Sequence, residues 1–124
     1  MPRVMIVDDA ATVRLYHRSI IETLGYEVEE AANGLEALEK SLSHGFDLFL
    51  IDVNMPKMDG YTLVRSLRGN DGTRAVPVIL ISTEAEARDA RCGYEAGANL
   101  YLVKPVRPEE LLMNARMLTA AVRA

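Results

Sequence analysis

A chain of 124 residues fits one domain and buries roughly two thirds of its unfolded surface, so it needs no disulfide or structural metal to hold a core. With 14 Lys and Arg against 18 Asp and Glu, its net charge of −4 excludes the basic footprint of a nucleic-acid or anionic-membrane binder. One cysteine, no signal-peptide pattern and no run of roughly 20 apolar residues point to a reducing, cytoplasmic setting without a membrane span.

Short apolar runs alternate with longer amphipathic stretches along the chain. Val4–Val7 predicts the first strand, followed by a helix over about Thr12–Leu24 with Val13, Tyr16, Ile20 and Leu24 at helical spacing and Gly25 as its stop. Glu27–Glu30 is a polar, alternating strand suited to a sheet edge. The next helix, about Gly34–Ser43, has Asn33 as N-cap and carries Leu35, Leu38 and Leu42. Leu48–Ile51 reads as a strand buried on both faces, and Asp59 caps a third helix over about Gly60–Arg68. Val78–Ile81 and an Ala-rich helix over about Glu84–Ala96 follow. Leu100–Val103 leads to a last helix that opens with Pro108 and two glutamates and runs to about Val122. Five β-then-α units in series predict an α/β fold with a parallel sheet, right-handed crossovers and helices on both faces.

In such sheets, sites form beyond the carboxyl ends of the strands. Here strand 1 runs into Asp8-Asp9, strand 3 into Asp52, strand 4 into Ser82-Thr83 and strand 5 into Lys104. Taken singly, each has an ordinary role: a strand-end aspartate caps a helix or forms a turn, and a lone lysine is a solvated charge. Their coincidence on one edge points to chemistry. Close carboxylates repel unless neutralised, and an all-oxygen cluster suits a hard cation such as Mg²⁺ that keeps waters and phosphate oxygens. Lys104 adds a point charge and Ser82 a hydroxyl for a phosphoryl group, with Asp52 as the central carboxylate and candidate nucleophile. The Lys104-Pro105 bond is a candidate cis peptide, although Pro105 could equally just end the strand.

VMIVDDA, DLFLIDVNMPKMDG, PVILIST and AGANLYLVKP carry a resemblance over the whole length to the receiver domain of two-component response regulators, especially the single-domain chemotaxis type. The resemblance implies a flavodoxin-like (βα)5 fold with strand order 2-1-3-4-5, one receiver domain over residues 1–124 and no output domain. It implies that Asp52 accepts a phosphoryl group from a histidine kinase. Asp9, Asp52 and the Asn54 carbonyl would ligate Mg²⁺, for which Mn²⁺ could substitute, and Asp8 would act through metal-bound water. Ser82 and Lys104 match the phosphoryl-binding positions, and Tyr101 the aromatic switch, whose alternative is a plain half-buried strand tyrosine. The expected output is protein binding through the helix 4–strand 5–helix 5 face by Ala85, Arg88, Tyr101, Arg107, Glu109 and Leu112. A flagellar switch, another effector or a role as phosphate sink would fit, with the domain a monomer or a weak, phosphorylation-dependent dimer. Its catalysis is confined to its own phosphorylation and dephosphorylation.

Some residues depart from that pattern. Thr83 stands where Ala or Gly is usual, which would narrow phosphoryl access; Ser82 replaces the commoner threonine, and Ala10 a bulkier residue. Asn54 and Glu84 lie at the rim, where both could orient an attacking water and shorten the phosphoryl lifetime. Gly93 and the small residues Ala85, Ala87, Ala90 and Ala96 give helix 4 little packing area, suiting it to move or simply to pack closely. His17 reads as a satisfied core histidine, His44 as a loop residue, Cys92 as a packed small hydrophobe. Met55 and Met58 read as loop and helix packing. Two other classes fit less well. An aspartate-nucleophile phosphatase of the haloacid dehalogenase type needs a DxD motif on strand 1 and a cap. A flavodoxin-like cofactor binder needs a phosphate cradle where DDAATVR places carboxylates.

Overall fold

The computed structural model describes residues 1–123. Five strands, β1 (Arg3–Val7), β2 (Glu27–Ala31), β3 (Leu48–Asp52), β4 (Val78–Ser82) and β5 (Leu100–Val103), alternate with five helices. These are α1 (Ala11–Glu22), α2 (Gly34–Ser43), α3 (Gly60–Arg68), α4 (Ala87–Ala96) and α5 (Pro108–Arg123). All strand pairs are parallel, in the order β2-β1-β3-β4-β5, the flavodoxin-like arrangement. The polar strand β2 lies at an edge, where only one neighbour has to be satisfied. Asp52 and Ser82 each close a strand, one residue later than the apolar pattern indicated.

Side-chain alternation divides the core into two layers. Met5, Val7, Phe49, Ile51, Val78 and Leu80 face α2, α3 and α4, with Leu63, Val64 and Leu67 packed over them. Val4, Ile6, Leu48, Leu50, Ile79 and Ile81 face α1 and α5, covered by Ile20, Ile21, Leu111 and Ala115. Each layer is needed because a strand in the middle of a parallel sheet exposes neither face. Asp52 has the parity of Leu48 and Leu50, so its carboxylate continues the α1/α5 layer at the sheet's carboxyl edge.

Helix ends follow the expected chemistry in part. Asn33 and Asp59 accept hydrogen bonds from the Glu36 and Thr62 amides at 2.8 Å each, and Gly25 and Gly97 follow α1 and α4 with positive φ. Several core assignments differ. Leu35 and Leu42 are 63% and 75% exposed, because α2 is narrow enough to bury only Gly34 and Ala37 fully, with Leu38 beside them. In α1 the buried face is His17, Ile20 and Ile21, which rotates Tyr16 outward, where its hydroxyl donates to the Val106 carbonyl at 3.1 Å. Cys92 is exposed, not packed, since α4 turns Gly93 and Ala96 to the core.

Helix α4 begins at Ala87, three residues later than its composition suggested. The residues before it are held in a loop: the Glu84 amide donates to Ser82 Oγ at 3.0 Å, and its carbonyl accepts from the Tyr101 hydroxyl at 2.8 Å. The helix then opens at Glu86, whose amide donates to the Asp89 carboxylate at 3.2 Å.

Candidate functional site

Adjacent strands β1 and β3 are paired Val7 to Ile51, so the residues that follow, Asp8 and Asp52, emerge side by side. Carboxylate oxygens of Asp8, Asp9 and Asp52 all lie within 4.8 Å of one another. Lys104 follows β5, two strands away from β3, a distance of about 10 Å that calls for a long side chain. Its ammonium sits 3.1 Å from Asp52 Oδ1 and 3.2 Å from Asp8 Oδ2. Three carboxylates against one ammonium leave two formal negative charges in the cluster. Asp8 and Asp52 are buried, while Asp9 is exposed at the mouth.

Burial and the neighbouring Asp8 carboxylate push the Asp52 pKa up, against the pull of Lys104 and the Asn54 amide. Burial works against the Lys104 charge, but hydrogen bonding and attraction to Asp52 and Asp8 outweigh it and raise that pKa. The donor set is hard oxygen throughout and its surplus charge is negative, which fits a divalent cation such as Mg²⁺ and not a soft metal. Asp8, Asp9 and Asp52 are the carboxylates that could hold it.

On the other layer, Ser82 Oγ donates to Asn54 Oδ1 at 3.0 Å. This engages the rim amide with the hydroxyl that sequence reasoning assigned to phosphoryl binding. Asn54, Thr83 and Glu84 are exposed around the opening, and the Lys104-Pro105 peptide is cis. Tyr101 is buried, with its ring turned inward toward α4. Gly93 makes this possible: a Cβ there would stand 3.1 Å from the Tyr101 ring and 3.0 Å from Leu80 Cδ1.

Sequence reasoning missed Tyr61. Its hydroxyl donates to the Asp89 carbonyl at 3.0 Å, and burial followed by the Tyr101 hydroxyl raises its pKa. Two inward tyrosines thus hold the β4–α4 segment from both ends. His17 is 3% exposed and makes no side-chain hydrogen bond among the described residues; its ring instead packs against that of Tyr16, centroids 5.5 Å apart. Because no fully buried side-chain nitrogen is left unpaired among the described residues, its ring nitrogens reach the groove it lines with Val13, Tyr16, Thr83, Pro105 and Val106. Burial, then Lys104, hold its pKa down.

Residues 4–116 match the family model described as the response regulator receiver domain. The chemotaxis protein CheY4 of Vibrio cholerae has a similar structure, with a TM-score of 0.90 and 36% identity over 95% of this chain and 98% of that one. The receiver domain of a sensor histidine kinase from Pseudomonas aeruginosa, solved with magnesium coordinated in its active-site cleft, gives a TM-score of 0.88 and 28% identity over 96% and 98%. A gliding motility regulatory protein of Myxococcus xanthus is 42% identical over 113 residues, 91% of this chain and 14% of that protein. The transcriptional regulatory protein ResD of Bacillus subtilis is 35% identical over 94% of this chain and 47% of its own length. The chain therefore spans half or less of these curated relatives. No helix among the described residues is long and apolar enough to cross a membrane.

Proposed function

We propose, since the chain belongs to the response regulator receiver family, that phosphoryl transfer from a histidine kinase to Asp52 is its input and protein binding its output. The single observation that carries this is the buried Asp52 carboxylate held 3.1 Å from the Lys104 ammonium inside an all-oxygen acidic cluster. Mg²⁺ held by the acidic cluster would supply positive charge to the transferring phosphoryl oxygens. Asp52 attacks phosphorus, the bond from phosphorus to the donor nitrogen breaks, and the group is left on the Asp52 oxygen. Lys104 gives up a carboxylate partner to reach a phosphoryl oxygen. The Ser82 hydroxyl has one proton, so donating it to the phosphoryl group requires leaving Asn54. That step frees the Asn54 amide and shifts the loop that Tyr101 and Tyr61 hold.

Output through α4, β5 and α5 is supported by the exposed apolar side chains there. Tyr94, Val103, Met113 and Met117 are 48%, 41%, 63% and 59% exposed, beside the exposed Arg88, Arg107 and Glu109. The likeness to the chemotaxis protein CheY4 supports a role in chemotaxis, within which a flagellar-motor target is the reading proposed. Labelling by acetyl phosphate with Mg²⁺, followed by titration with a flagellar switch peptide, is expected to show tighter binding of the phosphorylated form. Absence of labelling would contradict the switch. Labelling without peptide binding would instead support another effector or a phosphate sink.

Asn54 and Glu84 at the rim are expected to keep the phosphoryl group short-lived by orienting the attacking water. Asn54→Met together with Glu84→Val should slow dephosphorylation roughly tenfold or more. An unchanged decay rate would remove both residues from that role.

A further inference from the structure

We propose that Arg14 is a positioning residue for the acidic cluster, locking the Asp8 carbonyl to Glu30 so that the β1–α1 loop holds its carboxylates at a cation's spacing. The inference rests on the reading of that cluster as a divalent-cation site.

Side chains on a helix tilt toward its N-terminus, so Arg14, one turn into α1, reaches back over the loop that carries Asp8 and Asp9. Its Nη1 donates to the Asp8 carbonyl at 2.7 Å and its Nε to Glu30 Oε1 at 2.8 Å. Glu30 is itself anchored. Arg18 Nη1 donates to its other carboxylate oxygen at 2.8 Å, and Lys40 donates to its backbone carbonyl. Hydrogen bonds from Arg18 and then Arg14 hold the Glu30 carboxyl below its usual range, against burial. The brace thus runs from α2 through the edge strand β2 and α1 to the end of β1.

The loop depends on such outside support. α1 opens at Ala10 with no side-chain cap, and Ala10 instead donates its amide to Asp8 Oδ1 at 2.9 Å. The Asp8 amide donates to the Ala31 carbonyl at 3.1 Å. Amide, carboxylate and carbonyl of Asp8 are therefore all fixed, and the carbonyl's bond is the one supplied by Arg14. Groups that orient ligating carboxylates typically change metal affinity by about 10–100-fold when removed.

The sign of the effect separates a brace from a nearby charge. As a bare cation, Arg14 opposes a divalent ion, and removing it would tighten binding. As a brace, removing it loosens the carboxylates and weakens binding. Mg²⁺ affinity would be measured by amide NMR titration of the full chain, with thermal unfolding of each variant recorded alongside. Arg14→Met is expected to weaken Mg²⁺ binding about tenfold or more. Arg18→Met, which loses a Glu30 contact but none to Asp8, should stay within about twofold. If Arg14→Met does not fold, Arg14→Lys serves: it keeps the charge but lacks the planar fork that bridges both partners, and should still lose several-fold. Binding as tight as wild type, or tighter, in a folded Arg14 variant overturns the proposal. A wild-type chain without saturable Mg²⁺ binding would overturn the cation reading as well.

Discussion

Asp52→Asn is expected to reduce phosphorylation by acetyl phosphate and Mg²⁺ to background, at least about a hundredfold below wild type. The amide has nearly the same shape but no nucleophilic carboxylate, and Lys104 keeps Asp8 as a partner at 3.2 Å. The fold should survive, because the variant removes one of two buried like charges. Burial and Asp8 raise the Asp52 pKa, so in the absence of metal the folded chain holds that proton to higher pH than the unfolded chain does. Stability then falls as pH rises from the ordinary carboxylate range through the raised value. Asp52→Asn abolishes that loss: without metal, urea denaturation should find it at least as stable as wild type at neutral pH, and the difference should vanish well below pH 4. A variant markedly less stable at neutral pH would mean that the Lys104 contact outweighs burial and repulsion.

The second large effect is expected at Gly60→Ala, in a residue that touches no phosphoryl group. Gly60 starts α3 and donates its amide to the Val53 carbonyl at 2.9 Å, bringing the helix against the end of β3. A Cβ there would stand 2.6 Å from the Asp52 carbonyl oxygen and 2.8 Å from Val53 Cα. Both are backbone atoms, which cannot swing away as a side chain can. Either α3 or the segment after Asp52 must move. The expected cost is about 2–3 kcal/mol, seen as roughly a 10 °C fall in Tm. Phosphorylation should slow as well, because the displaced segment carries Asp52. An unchanged Tm would show that the α3 junction yields without cost.

Much of the site could be read in the sequence, and the reason is physical. Residues at the ends of parallel strands share one edge, so Asp8, Asp52, Ser82 and Lys104 needed only the strand positions to be brought together. Asn33, Asp59 and Pro108 could be read as helix openings because capping is local. What stayed hidden depends on register and on which way a helix turns. Arg14 meets Glu30 only because β2 lies beside β1, with Ile6 opposite Glu30. Tyr61 meets α4 through its hydroxyl at the Asp89 carbonyl, and no local pattern signals that pairing. Cys92, Leu35 and Leu42 lie on helices whose buried stripes are narrow and built from Gly and Ala, which apolar spacing does not locate. His17 was legible as buried, but not as turning its ring nitrogens toward a groove instead of a hydrogen-bond partner. The turn behind Asp52 also holds a surprise: Lys57 takes a positive φ of 69° while the Met58 amide donates to the Pro56 carbonyl at 2.8 Å, a tight three-residue turn without glycine.

Locating the phosphoryl group by chemistry decides whether Asp52 carries it. The phosphorylated wild-type chain would be reduced with borohydride, which converts an aspartyl phosphate to homoserine, and the modified position read by peptide mass spectrometry. Modification at position 52 alone is the expected result. A phosphoryl group found instead at Asp8, Asp9 or Ser82 would remove Asp52 as the acceptor, whatever the chain then binds.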